Sequence, residues 1–376
     1  MNLIGMYWEK EHNTMNKKIL FIASHRKDRA PGQRFRFEQY FDYLSANGFD
    51  CELSFLINEQ EDKILYKHGH YFEKFKVFLN SYKKRRKDAK NKNNYDIIFI
   101  FREALMTRSI SFEKQFKNSR AKLVYDFDDA IWHQDVSDAN KKISFLKNPG
   151  KISDIISLCD MVFAGNLYLA DYAGQFNKNV LIVPTTIDTN EYRRISSDKK
   201  SDRICIGWSG SITTIKHFEY AISFLTKIKE KYGDKIKIKV IGDGSYVNEP
   251  LGIKGISWTK NDEIKELSEI DIGIMPLPDD EWTKGKCGLK GLQYMALEIP
   301  TVMSPIGVNS EIINDGANGF LANTEEEWVE KISQLIDSLE MRKRLGSNAR
   351  KTVEERYSVE SQKNNYLHAF NELLKR

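Results

Sequence analysis

The chain has 376 residues with a net charge of only +5, and 41% of its residues are apolar and 12% aromatic. This length fits two domains of roughly 150 to 200 residues each, and the apolar content excludes wholesale disorder. No apolar run approaches the roughly 18 residues that a membrane-spanning helix needs. The charge gives no reason to expect nucleic acid as a partner, and no known nucleic-acid-binding motif accompanies it.

The N-terminus and the cysteines indicate the compartment. Residues 1–15 contain acidic residues and lack the long apolar core of a signal peptide, so they are predicted to be a disordered extension. The four cysteines are scattered and form no CxxC pair. This usage favours the reducing cytoplasm over a disulfide framework or a zinc site, and we expect no metal and no cofactor.

Residues 16–195 alternate between short apolar segments and helical patterns. The segments predicted as strands are 19–24, 51–56, 97–101, 123–125, 161–164 and 180–183. Helices are predicted between several of them, for example over 35–44 and 152–158. The alternation predicts a parallel sheet covered by helices on both faces, with ligands bound beyond the carboxyl ends of the strands.

Charged residues follow two of these strands. Arg34 and Arg36 lie near the start of the helix after the first strand, where they suit an anionic group on a substrate; solvated surface arginines are the alternative. After the fourth strand come Asp128, Asp129 and His133. Crowded carboxylates repel one another unless they bind a cation, accept hydrogen bonds or share a proton. They are candidates for holding sugar hydroxyls or for acid–base work, with a helix cap or a structural histidine as the alternatives.

The segment 63–92 is strongly basic, with eleven lysines and arginines against two acidic residues. Phe72, Phe75, Phe78 and Leu79 recur within it at roughly helical spacing. A basic amphipathic helix is typical of contact with an anionic membrane surface. The alternative is an ordinary helix that packs Phe75, Phe78 and Leu79 onto its own domain.

A polar stretch near residues 192–201 predicts a linker and hinge, after which the alternation restarts. The predicted strands are 204–208, 236–241, 256–258, 272–275 and 301–304, and the predicted helices are 216–231, 262–269, 289–297, 325–339, 341–357 and 358–374. Between the fourth strand and its helix lies a loop with Lys284, Lys286 and Lys290. Free backbone N–H groups at a helix start, together with lysines, suit a phosphate or diphosphate. Solvated lysines on an ordinary loop are the alternative.

The second half resembles the retaining glycosyltransferases of family 4. The resemblance is carried, in order, by Gly210 and Ser211 after their strand and by the segments 240–244, 266–277, 288–313 and 318–321, with 183–188 at the domain junction. It implies the GT-B architecture: an α/β fold of two Rossmann-like domains whose parallel sheets face each other across a cleft. Residues 16–195 would bind the acceptor, residues 196–357 the nucleotide sugar, and residues 358–376 would pack back on the first domain.

The resemblance also implies site residues. The donor-binding set would be Gly210, Ser211, Gly242, Gly244, Trp258, Gly288, Leu289, Gln293 and Glu311. The chain departs from the family in placing Gly285 and Gln293 where two glutamates are usual, and in lacking the usual arginine near Gly210. A core tryptophan is the alternative for Trp258, and a helix cap is the alternative for Glu311.

The resemblance implies transfer of a sugar from a nucleotide-diphosphate donor to an acceptor hydroxyl with retention. Lys216, Lys286 and Lys290 would stabilise charge on the leaving phosphate without a metal ion, while Asp128, Asp129 or His133 positions the acceptor. The acceptor would be a saccharide or a lipid-linked molecule in surface polysaccharide or glycolipid synthesis, on the inner face of the membrane. The alternatives are a nucleotide-sugar epimerase of the same architecture and a non-catalytic relative that binds membranes or polyanions.

Overall fold

The structure is a computed structural model that describes residues 16–65, 69–133, 150–195 and 203–376. The predicted extension 1–15 lies outside the described residues. So does most of the predicted linker, which includes residues 196–202, and part of the basic segment, residues 66–68.

The first half forms a parallel sheet. Its strands are β1 (Lys17–His25), β2 (Phe49–Ile57), β3 (Ile97–Phe101), β4 (Lys122–Phe127), β5 (Met161–Ala164) and β6 (Val180–Ile182). They lie in the order β2-β1-β3-β4-β5-β6 and every recorded pairing is parallel. All carboxyl ends therefore meet at one edge. The strand predicted over 123–125 extends to Phe127, so Asp126 belongs to the strand and only Asp128 and Asp129 follow it.

Helices cover both faces of this sheet. They are α1 (Pro31–Arg34), α2 (Phe41–Ala46), α3 (Glu59–Leu65), α4 (Tyr71–Lys90), α5 (Ser111–Lys117), α6 (Lys151–Leu158) and α7 (Leu167–Gly174), with 3₁₀ turns at Glu38–Tyr40 and Lys92–Asn94. The helix predicted over 35–44 is thus interrupted, with a 3₁₀ turn in place of its first half. Phe35 and Phe37 are buried on either side of Arg36, which is buried as well, so this segment has no solvent-facing side.

The second half repeats the arrangement. Its strands are β7 (Ile204–Ser209), β8 (Ile236–Gly242), β9 (Val247–Asn248), β10 (Ile253–Lys254), β11 (Ile256–Ser257), β12 (Ile272–Met275), β13 (Thr301–Met303) and β14 (Phe320–Leu321). The order β11-β8-β7-β12-β13-β14 is again parallel, and β9 and β10 form a separate antiparallel pair. The two parallel sheets with their covering helices confirm the predicted fold class.

The helices of the second half surround its sheet. They are α8 (Ile215–Glu219), α9 (Ile222–Tyr232), α10 (Lys260–Ser268), α11 (Glu281–Lys284), α12 (Leu289–Ala296), α13 (Asn309–Ile312), α14 (Glu325–Asp337), α15 (Leu339–Arg356) and α16 (Val359–Lys375), with 3₁₀ turns at Ile212–Thr214 and Gly233–Lys235. The helix predicted over 216–231 is two helices, because the chain turns at Tyr220 and Ala221. None of the described helices is long and apolar enough to cross a bilayer.

The last helix, α16, belongs in space to the first half. Tyr366, Phe370 and Leu373 are buried in the same apolar cluster as Phe21 and Phe99 of the first sheet. The hydroxyl of Tyr366 also donates to the carbonyl oxygen of Arg36. Burial of this apolar face fixes the C-terminal helix on the first sheet. The helix therefore connects the two halves.

Candidate active site

The loop between α11 and α12 is docked on the carboxyl edge of the first sheet. The side-chain amide of Asn166, which follows β5, donates to the carbonyl oxygen of Lys286 at 3.0 Å. The thiol of Cys287 donates to the carbonyl oxygen of Asp128 at 3.2 Å. A Cβ atom on Gly285 would lie 2.7 Å from the backbone nitrogen of Ala130. Glycine at this position therefore lets the two backbones touch, and a glutamate would push them apart.

Helix α12 begins at the bottom of this loop. Gly288 precedes it in a left-handed conformation with φ of 69°, which glycine adopts without steric cost. No side chain caps the helix, so the N–H groups of its first turn, including that of Leu289, keep their positive dipole end for another acceptor. This geometry is what the sequence predicted for Gly288 and Leu289.

Two lysines of this region face the first domain and the first turn of α12. The ammonium group of Lys286 lies 2.8 Å from a carboxylate oxygen of Asp129 and 5.0 Å from the ring centre of Trp282. The ammonium group of Lys290 lies 5.5 Å above the ring of Trp208, and the described residues provide no ion pair for it. Burial and the neighbouring charge of Lys286 lower the pKa of Lys290 to about 8. Lys290 is thus a half-buried cation that has no ion pair among the described residues.

Arg102 holds the carboxylates of the first domain in place. It follows β3 in a left-handed conformation with φ of 62°, and its guanidinium group donates to Asp128 at 2.8 Å and to Asp129 at 2.5 Å. Burial raises the pKa of Asp129, but Lys286 and Arg102 outweigh it and keep that pKa below its usual value. Asp129 is therefore an anion whose charge is already shared between two cations.

An open pocket of about 510 Å³ lies beside the lysines. Its lining includes Lys216, His217 and Tyr220 on one side and Asp280 and Trp282 on the other. Burial, followed by the charges of Lys290 and Lys286, lowers the pKa of His217 to about 4, so the imidazole is neutral at physiological pH. The lining carries charges of both signs, since Glu219 and Asp280 accompany Lys216, and the pocket has room for a small ligand.

The predicted donor loops lie at the carboxyl ends of β7 and β8. The backbone N–H of Gly210 donates to the carbonyl of Ile241, and a side chain at Gly242 would collide with the Gly210 carbonyl. A side chain at Gly244 would likewise collide with Ser257, and Ser211 caps the 3₁₀ turn that precedes α8. Glu311 is exposed in the first turn of α13, but no side chain caps that helix, so the helix-cap alternative is wrong and the donor contact stays a prediction.

Trp258 and Gln293 take part in a different network, centred on the buried carboxylate of Glu263. Glu263 accepts hydrogen bonds from the indole of Trp258 at 3.0 Å, the amide of Gln293 at 3.0 Å and the hydroxyl of Tyr192 at 2.6 Å. The guanidinium group of Arg34 from the first half completes the set. Trp258 and Gln293, both predicted to bind the donor, therefore use their side-chain hydrogen bonds within the protein in this structure.

The arginines predicted for the acceptor are also used internally. Arg36 and Asp126 form an ion pair in which both side chains are fully buried, and Arg34 pairs with Glu191 as well as Glu263. This arrangement does not support acceptor binding by Arg34 or Arg36, because neither guanidinium group faces open solvent. His133 remains at the cleft, with its ring 3.5 Å from the hydroxyl of Tyr168, which donates to Glu281 across the interface.

Sequence reasoning missed Arg102, Trp208, His217 and Glu263. Arg102 directly follows a predicted strand, so the rule that chemistry lies after strand ends could have found it. In the sequence, Trp208 and His217 cannot be distinguished from core residues, and no local pattern distinguishes Glu263 from other glutamates. Their roles come from neighbours that are distant in the chain.

The sequence is similar to those of known glycosyltransferases. The family model of "Glycosyl transferases group 1" matches residues 189–352. An uncharacterized glycosyltransferase of Methanocaldococcus jannaschii is 24% identical over 264 residues, which are 63% of this chain and 65% of the relative. A second uncharacterized glycosyltransferase of the same organism is 26% identical over 44% of each chain. The chain therefore spans 44% and 65% of the lengths of these two relatives.

Solved structures agree over nearly the whole chain. Sucrose-phosphate synthase from Thermosynechococcus elongatus superimposes with a TM-score of 0.72 at 13% identity, covering 96% of this chain and all of that one. HepE from Anabaena, in complex with UDP and glucose, gives 0.67 at 15% identity and covers 95% of this chain and all of that one. The chain has the GT-B fold. Within it, residues 189–352 match the model of the glycosyl transferases group 1 family.

Proposed function

We propose that the protein is a retaining, metal-independent glycosyltransferase that moves a hexosyl group from a nucleotide-diphosphate sugar to an acceptor hydroxyl. The observation that carries the proposal is the half-buried Lys290, which has no ion pair among the described residues, with Lys286 and the uncapped start of α12 beside it. A partly desolvated cation next to a second cation is unfavourable without an anion, so its retention points to an anionic ligand. The HepE structure holds UDP and glucose, which supports a donor of this class.

The proposed chemistry follows from the charges. The bond between the anomeric carbon and the β-phosphate oxygen breaks, and a bond to the acceptor oxygen forms on the same face of the sugar. Lys286, Lys290 and the first N–H groups of α12 stabilise the charge that develops on the leaving diphosphate. The acceptor proton passes to an oxygen of that phosphate, so no separate protein base is needed. Cationic side chains already provide the charge that a divalent ion would supply.

The acceptor side is formed by Asp128, Asp129 and His133. Asp129 lies next to Lys286, so a sugar held by its carboxylate would lie close to the diphosphate. Arg102 donates to both carboxylates, and their remaining oxygen lone pairs can accept hydrogen bonds from hydroxyl groups of a donor or acceptor sugar. We place the reaction in surface polysaccharide or glycolipid synthesis, at the cytoplasmic face of a membrane.

The test is a thermal-stability panel with UDP, GDP, ADP and dTDP, compared between wild type, Lys290→Met and Lys284→Met. Lys284 is the matched control, because it is a lysine at the end of α11, six residues before Lys290, whose ammonium group is paired with Glu281 at 2.7 Å. We expect at least one diphosphate to raise the melting temperature of wild type and of Lys284→Met but not of Lys290→Met. Equal stabilisation of all three would overturn the assignment of the site.

Activity then distinguishes the rivals. Incubation of the stabilising nucleotide's sugar with and without acceptor should give a glycoside whose anomeric configuration, read by NMR, matches that of the donor. Conversion of the donor without any acceptor would indicate an epimerase instead. Stabilisation without turnover of any donor would indicate the non-catalytic relative. Activity that disappears with EDTA and returns with Mg²⁺ would refute metal independence.

A further inference from the structure

In the part of the chain that the structure describes, helix α4 has an exposed apolar surface. We call it the aromatic stripe; its members are Tyr71, Phe72, Phe75, Phe78, Leu79 and Tyr82. Their exposed fractions run from 67% at Tyr71 and Phe72 to 39% at Leu79. At 100° per residue these positions fall on one side of the helix. The alternative that Phe75, Phe78 and Leu79 pack onto the domain is wrong.

The helix cannot turn over to bury the stripe. Arg85 fixes the C-terminal half of the helix on the sheet, because its fully buried guanidinium group donates to the carbonyl of Ala23 at 2.6 Å, to Ser54 at 2.9 Å and to Asp88 at 2.9 Å. Val77 and Ser81 are buried on the same side as Arg85. The sheet therefore sets the orientation of α4, and in this orientation the stripe is exposed.

The first half of α4 also extends past the sheet. Arg85 is level with Ala23, and β1 ends two residues later, about 7 Å further on. Tyr71 lies 14 residues before Arg85, about 21 Å along the helix. Because α4 runs back to the start of β3, its N-terminal half projects beyond the carboxyl edge of the sheet. That edge is the one that carries Asp128, Asp129 and Arg102.

The charges next to the stripe are positive. Lys76, Lys83, Lys84, Arg86 and Lys87 are exposed on α4, while its acids are Glu73, near His70, and Asp88, which pairs with Arg85. The ammonium group of Lys76 lies 4.6 Å from the ring of Phe72. Aromatic rings flanked by lysines on a helix are suited to the interface between lipid headgroups and acyl chains. A second copy of this surface would instead bring like charges together.

We propose that residues 71–82 dock on an anionic lipid surface, with the aromatic stripe inserted among the headgroups and the lysines on the phosphates. The cleft edge then lies next to the membrane, and the acceptor is a lipid-linked molecule that enters the cleft from the bilayer. The second part of this proposal depends on the proposed glycosyltransferase function, whereas the docking itself does not.

The test is vesicle flotation with phosphatidylcholine alone and with phosphatidylglycerol added. The variant is Phe72→Ser/Phe75→Ser/Phe78→Ser, and the matched control is Phe176→Ser/Val247→Ser/Leu339→Ser, whose three positions are exposed apolar residues elsewhere on the molecule. We expect wild type and the control to float with anionic vesicles, less so at high salt, and the stripe variant to lose about tenfold or more of its binding. Nucleotide stabilisation should be the same in all three, which shows that the variants are folded.

Other outcomes would overturn the docking. These are wild type that does not float, a stripe variant that floats as well as wild type, and self-association of wild type that the stripe variant loses without any vesicle binding. As a second readout, a Phe75→Trp variant should be quenched by brominated lipids, whereas Phe176→Trp should not. If vesicles bind and the enzyme glycosylates only soluble acceptors, the lipid acceptor is refuted while the docking and the proposed function stand.

Discussion

Two polar networks cross the interface between the halves of this molecule, and they differ in how their charges are balanced. In the Glu263 network, one buried carboxylate accepts hydrogen bonds from Arg34, Tyr192, Trp258 and Gln293. In the Asp129 network, one carboxylate is shared by Lys286 and Arg102, and Lys290 has only the face of an indole. The first network satisfies its own groups, while the second holds more positive charge than it can neutralise.

The difference teaches where a ligand is expected. A network that only joins two domains gains from complete internal pairing, because an unpaired buried charge costs several kcal/mol. A site that receives an anion must keep some cations unpaired until the anion arrives, and the lowered pKa of Lys290, which has no ion pair among the described residues, agrees with this requirement. The network with Gln293 joins the halves, and we propose that the network with Lys290 binds the ligand.

The largest expected effect is the loss of stability when the Glu263 network is disrupted. Glu263→Ala leaves the guanidinium group of Arg34 and three neutral donors without their acceptor in a buried place. We expect the free energy of unfolding to fall by roughly 3–5 kcal/mol in urea denaturation. Glu249→Ala, at an exposed glutamate of the same domain, is the control and should change it little. A loss below 1 kcal/mol for Glu263→Ala would mean that this network does not hold the interface.

A smaller effect is expected from Gln293→Glu, which puts the family's usual residue into this network. The new carboxylate would lie about 3 Å from the Glu263 carboxylate, judged from the present amide contact. Repulsion would raise the pKa of the pair above its value in the unfolded chain, so the folded state binds more protons and stability falls as pH rises through that range. We expect a loss of roughly 1–3 kcal/mol at about pH 8 that shrinks toward pH 5.

The control for this pH dependence is Gln293→Met, which removes the same hydrogen bonds without adding a charge. Its stability loss should not depend on pH over this range. If Gln293→Glu were equally insensitive, the two carboxylates would not be in contact, and the balanced description of the Glu263 network would be wrong.

The affinity of the Asp129 network for its proposed ligand should depend on pH. Lys290 is charged below its pKa of about 8 and neutral above it. The affinity for the stabilising nucleoside diphosphate should therefore fall as pH rises from about 7 to 9, by up to about tenfold, in isothermal titration. Lys290→Arg keeps its charge throughout, so its affinity should be flat in the same window. A wild-type profile as flat as that of Lys290→Arg would separate Lys290 from the bound phosphate.

The smallest effect is a gain in stability. The side chain of methionine is about as long as that of lysine. Lys290→Met therefore removes the partly desolvated charge and its repulsion with Lys286 while keeping most of the packing. We expect the ligand-free protein to become more stable by about 1 kcal/mol, the opposite sign to the change at Glu263. Denaturation of Lys290→Met and wild type without nucleotide gives this number. A clear destabilisation would show that Lys290 has an internal partner and does not wait for a ligand.

Much of this protein follows from its sequence. The alternation of apolar runs and helical patterns determines two parallel α/β units, because burial on both faces of a strand and on one face of a helix leaves a periodic mark. Lys286, Gly288 and Lys290 could be proposed as an anion site from the sequence, because they are neighbours in the chain. Lys284 was not separated from them, although its partner Glu281 lies only three residues earlier on the same helix.

Only the tertiary structure decided which charges remain available. Arg34 and Arg36 were indistinguishable in sequence from ligand-binding arginines. In the structure they form ion pairs with Glu263 and Asp126, which are far away in the chain. The aromatic residues of α4 showed the helical spacing of a packed helix, yet they are exposed in the structure. A local pattern records periodicity and propensity, whereas the compensation of a charge and the covering of an apolar face depend on long-range partners that no local pattern contains.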